Sequence, residues 1–100
     1  MSGGTNPLGG PDPVDLHISA RLLELRKASG LSQKALARAV GITFQQVQKY
    51  EHARNRVSAS MLYGLARALG VPLWAFFEGL PQTVPPGSSG VEIATLQKGK

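Results

Sequence analysis

Five positions set the chemistry open to this chain: Phe44, Gln45, Gln48, Lys49 and His52. With Val47 and Tyr50 facing inward, these five fall on the outer face of one helix. The face carries amides and a lysine but no carboxylate. A glutamine amide pairs in bidentate fashion with adenine, and lysine reaches guanine acceptors or a phosphate. A merely solvated face more usually mixes both charge signs, as i,i+4 ion pairs do. No catalytic alternative competes with this reading. The sequence has no P-loop, no nucleophile elbow and no His-Glu-x-x-His. His17 and His52 belong to different helices, and Glu24 and Glu51 are isolated carboxylates. Cysteine is absent, which removes disulfides, thiolate catalysis and cysteine metal sites. The expectation is a chain that is not an enzyme and needs no metal or organic cofactor.

Two short helices must hold that face, both within Gly30–Glu51, GLSQKALARAVGITFQQVQKYE. Ser32 is placed to cap the first, because its hydroxyl can accept from an orphan amide of the first turn. This helix runs over Gln33–Val40 with Leu36, Ala37 and Val40 inward. Gly41 ends it in the left-handed conformation that a helix C-terminus often needs. Ile42 fills the angle between the helices. Thr43 caps the second helix, with Gln46 three residues on completing a capping box.

These residues resemble the lambda-repressor-like (Cro-type, or xenobiotic-response-element) helix-turn-helix family. The resemblance rests on GLSQ opening the first helix, Ala37 and Gly41 around the turn, ITFQQVQKYE in the second helix, and LARALGVP downstream. It covers Val14 to Gly79. It implies an all-α, five-helix lambda-repressor-like domain whose second helix of the pair enters the DNA major groove. It further implies base readout by Phe44, Gln45, Gln48 and Lys49. Ser32, Gln33, Thr43, Gln46, Arg54, Asn55 and Arg56 are the expected contacts to the DNA backbone. The family also implies an ion pair between Arg26 and Glu51 that orients the helices. Lys34 and Arg38 fit either a phosphate contact or a solvated face. One departure stands out: the family usually has glycine two residues after the glutamate, and here that residue is Ala53. The turn is therefore expected to be made otherwise, with Asn55 a better bearer of a left-handed conformation.

The flanking chain supports a small helical domain. A helix over Val14–Ala28, capped by Asp15 or a neighbour, places Ile18, Leu22, Leu25 and Ser29 on one stripe. Ser58, with Ser60 as an alternative, caps a helix over Ala59–Leu69 with Leu62, Leu65, Ala66 and Leu69 inward. Gly64 inside it costs about 1 kcal/mol relative to alanine. Pro72 is expected at the first position of a last short helix, LWAFFEG. Leu73, Trp74, Phe76 and Phe77 cannot all face inward there. Leu73, Trp74 and Phe77 are the expected dimer interface, since aromatic residues anchor interfaces.

Charge points to a polyanion partner. The net charge is +5, and Arg26 to Arg56 holds seven Lys/Arg against Glu51 alone. Residues 1–13 read as a disordered N-terminal arm, 14–80 as the DNA-binding domain and 81–100 as a flexible C-terminal tail. The expected function is sequence-specific binding of double-stranded DNA as a homodimer, with an inverted-repeat operator and repression preferred to activation. The alternative is a protein-interaction module, such as a toxin–antitoxin antitoxin, whose apolar patch and C-terminal tail bind a protein partner. The absence of cysteine and of any membrane-spanning run fits a cytoplasmic, nucleoid-associated bacterial protein.

Overall fold

Local signals start and stop each helix. The computed structural model describes residues 12–81. In order they form α1 (Pro13–Ser29), α2 (Gln33–Val40), α3 (Phe44–Glu51), α4 (Ala59–Leu69) and a 3-10 helix, η1 (Leu73–Phe77). Ser32, Thr43 and Ser58 cap α2, α3 and α4, each hydroxyl accepting from the amide three residues on. The domain is all-α across the described residues, with four α-helices rather than five.

Both ends of the expected helix set shift for identifiable reasons. The cap of α1 is Asp12, not Asp15: Asp12 Oδ1 accepts from the Val14 amide at 2.7 Å. Pro13 then occupies the start of the helix, where its fixed φ suits the first turn and its missing N–H costs nothing. Asp12 and Pro13 thus belong to the helix rather than to an arm. The rest of the arm, and the tail after Pro81, lie outside the described residues. At the other end, Pro72 precedes η1 instead of opening it, and its carbonyl accepts from the Ala75 amide at 3.0 Å. That i→i+3 bond winds a tighter turn, as short terminal helices commonly do. Arg21 Nε takes the Ala75 carbonyl at 2.9 Å, so no further α-turn is needed to satisfy it.

The core draws one fully buried side chain from each element: Leu22, Leu36, Val47, Leu65 and Phe76. Burial of such a side chain contributes about 1.5–3 kcal/mol. Ile18, Ala37, Tyr50, Leu62, Ala66 and Leu69 complete the buried cluster, with Ile42 packed at its edge. On the α1 stripe Leu25 is half-buried and Ser29 is exposed. Helices α2 and α3 pack on each other, α1 supports α3, and η1 lies chiefly against α1. Nothing in the structure explains Gly64, where an added Cβ would meet no atom within 4 Å.

Candidate nucleic-acid interface

The turn between α2 and α3 fixes the angle at which α3 is presented. The Ile42 amide donates back to the Ala37 carbonyl at 3.0 Å, with Gly41 left-handed at φ 76°. This is a Schellman closure. Beneath it, Glu51 is tied inward. Arg26 Nε donates to Glu51 Oε2 at 2.5 Å, and Arg26 Nη2 to Oε1 at 3.2 Å. Gln33 Nε2 donates to the same Oε1 at 2.8 Å. Arg26 Nη1 reaches the Leu31 carbonyl at 3.0 Å. The Arg26 and Glu51 side chains are only 11% and 2% exposed. One carboxylate therefore locks α1, α2 and α3 together. A bidentate arginine pair with a third donor is the arrangement that offsets desolvation best.

Turning Glu51 inward leaves the outer face of α3 free of negative charge. Gln45, Gln48, Lys49, His52 and Arg54 line one shallow concavity there. Gln45 and Lys49 are exposed and Gln48 is half-buried. Phe44, also half-buried, lies under Lys34, whose Nζ is 5.6 Å from the ring centroid. This cation–π contact gives Lys34 a place that spacing alone left open. Arg38 is exposed.

The expected backbone contacts divide by how each side chain is occupied. Ser32 and Thr43 accept capping bonds at 3.0 and 3.1 Å, so each hydroxyl keeps its hydrogen for a phosphate oxygen. Gln46 makes no side-chain hydrogen bond among the described residues, so only the Thr43 half of the capping box forms. Gln33 has one amide hydrogen committed to Glu51. Arg54 and Asn55 are exposed. Arg56 Nε donates to Asp15 Oδ2 at 3.2 Å, bridging the loop to α1. A phosphate at Arg56 must share the guanidinium with that carboxylate.

The loop after α3 corrects one expectation. Ala53 itself, not Asn55, is left-handed, at φ 58°. The Arg54 amide donates to Lys49 O at 2.8 Å and the Ala53 amide to Tyr50 O at 3.2 Å. These are the two bonds of a Schellman motif, and together they hold an alanine where glycine is usual.

The sequence places His52 on the outer face of α3 without assigning it a contact, and offers Asp15 only as a helix cap. The available signals were the i,i+4 relation of His52 to Gln48 and an acid without a local partner at Asp15. On η1, Leu73 and Trp74 are 45% and 63% exposed, whereas Phe77 is half-buried against the core. Among the described residues no three His, Asp or Glu converge as a metal site, and no helix is long and apolar enough to cross a membrane.

Residues 22–73 match the family profile described as helix-turn-helix. A transcriptional regulator in the ATPase CF(0) region of Rhodospirillum rubrum, itself uncharacterized, is 50% identical over 72 residues. That alignment covers 72% of this chain and 67% of the relative. An uncharacterized HTH-type transcriptional regulator of Sinorhizobium medicae is 46% identical over 71 residues, 71% of this chain and 51% of the relative. The chain thus spans about half to two-thirds of these relatives' length. Among solved structures, the restriction-modification controller protein C.AhdI of Aeromonas hydrophila superposes with a TM-score of 0.60 at 35% identity. It covers 63% of this chain and 96% of that one.

Proposed function

Because this chain belongs to the lambda-repressor-like helix-turn-helix family of DNA-binding transcriptional regulators, we propose that it represses transcription as a homodimer on an inverted-repeat operator. Helix α3 enters the major groove. Gln45, Gln48 and Lys49 read base edges there, and Phe44 meets a thymine methyl. Ser32, Gln33, Thr43, Gln46, Arg54, Asn55 and Arg56 hold the phosphates that set its register. The observation that carries this reading is the outer face of α3, where amides and a lysine stand without a carboxylate while Glu51 faces inward.

One helix touches too few base pairs to single out a genomic site. Two copies double the sequence read and gain from effective concentration. Leu73 and Trp74 supply the exposed apolar surface for a twofold contact, in which the same patch meets its own copy.

Selection from random duplex DNA tests the proposal. A site with dyad symmetry is expected, its half-sites about 34–36 Å apart, one helical turn. Gln45→Ala or Lys49→Ala should then cost about 1–3 kcal/mol at particular base pairs. Arg54→Ala should weaken all sequences alike and shallow the log–log salt slope by about 0.9 per protomer. A selected site without dyad symmetry overturns the dimeric operator. Equal affinity for every duplex overturns sequence-specific readout.

A further inference from the structure

The concavity at the C-terminal end of α3 contains a side chain that the reading above does not use. His52 Nδ1 lies 2.8 Å from the Gln48 carbonyl oxygen. A carbonyl can only accept, so Nδ1 carries the hydrogen. In the neutral ring Nε2 is therefore a bare acceptor, and only the imidazolium has a hydrogen to donate there. A phosphate oxygen in turn accepts and cannot donate.

The surroundings favour the charged ring once an anion arrives. His52 is the C-cap of α3, where unpaired helix carbonyls favour a cation. It shares the concavity with Gln45, Gln48, Lys49 and Arg54, none of them acidic. Glu51 is turned away onto Arg26 and Gln33. Asp15, the acid that reaches this loop from α1, is engaged by Arg56. No neighbouring carboxylate therefore supplies the counter-charge, which leaves that place to a phosphate.

The geometry points to His52 as a proton-coupled phosphate contact: DNA binding draws one proton from solvent onto Nε2, and the new N–H donates to a phosphate oxygen. This inference rests on the DNA-binding reading of the α3 face. Histidine changes charge between pH 5 and 8, so operator affinity becomes a function of pH in the physiological range.

The test is equilibrium binding of the full chain to the selected duplex, in a salt series at pH 6 and at pH 8. Wild type should bind more tightly at pH 6 by about fivefold to tenfold per protomer, the range open to one titrating histidine in each copy. Its log–log salt slope should be steeper at pH 6 by about 0.9 per protomer, one additional neutralised phosphate. His52→Gln should abolish both effects, and His52→Arg should give tight binding at both pH values. The chain's other histidine, His17, has its Nε2 on the Glu78 carbonyl at 2.6 Å, and His17→Gln should keep both effects. Equal affinity at the two pH values overturns the inference, as does a pH response that survives His52→Gln. A pH response without a change in salt slope assigns the ring to a base edge and overturns the phosphate contact. Failure of wild type to bind any duplex at either pH instead removes the DNA-binding reading itself.

Discussion

Glu51 stands in a basic segment and adds no negative charge to its surface. Both its oxygens are occupied, one by Arg26 Nε and the other by Arg26 Nη2 and Gln33 Nε2. Removing it leaves the Arg26 guanidinium, 11% exposed, without its counter-charge. The loss of one partner from such a pair costs about 3–5 kcal/mol, far more than an exposed pair is worth. Glu51→Ala is therefore expected to lower the urea midpoint and the operator affinity together, because Gln33 and α3 lose a common anchor. An unchanged midpoint with unchanged affinity would mean that the buried cluster does not orient the helix pair. The exposed pair of Arg56 with Asp15, its arginine 49% exposed, carries no such stake.

At the scale of the element, the ends of the helices carry the conformational cost. Three C-termini close on left-handed glycines, Gly30, Gly41 and Gly70, and the fourth on Ala53 at φ 58°. A left-handed L-residue costs about 1–2 kcal/mol. Replacing alanine by glycine gives back about 0.4–1 kcal/mol through a freer unfolded chain. The strain term is the larger, so Ala53→Gly should stabilise the domain by about 0.5–1 kcal/mol. That corresponds to a rise of about 2–8 °C in melting temperature for a domain this size. Thermal unfolding followed by circular dichroism checks the sign. A lowered melting temperature would show that the entropy of the unfolded chain outweighs the strain at this turn.

For the whole molecule, η1 separates stability from association. Phe76 is fully buried, whereas Trp74, two residues away, is 63% exposed. Phe76→Ala should cost about 3–5 kcal/mol of folding stability, the usual range for a buried aromatic. Trp74→Ala should change monomer stability by less than about 0.5 kcal/mol, as surface substitutions do. Its effect should appear instead in sedimentation equilibrium, as a weakened dimer, and in reduced operator affinity. Wild type that stays monomeric even on the selected duplex would remove the dimer from the proposed function.

What the sequence determined by itself lies within about four residues along the chain. Ser32, Thr43 and Ser58 stand where caps were expected, and Gly41 makes the turn, because a cap or a Schellman closure is satisfied by its own helix. The inward stripes of α2 and α4 follow from periodicity in the same way. Tertiary structure decided the choice of partner wherever several were open. Asp15 leaves the cap to Asp12 and takes Arg56, 41 positions away. Gln33 gives one hydrogen to Glu51, 18 positions away, and Lys34 settles on the Phe44 ring. Of the apolar residues of η1, Phe76 alone among the aromatics reaches the centre of the core, because α1 and α4 meet the element on that side. Ala53 shows the two levels in conflict. Its residue type argues against a left-handed turn, and two backbone hydrogen bonds at the end of α3 hold it there. Local hydrogen bonding is written in residue type and spacing, but the pairing of side chains waits until chain closure brings distant segments together.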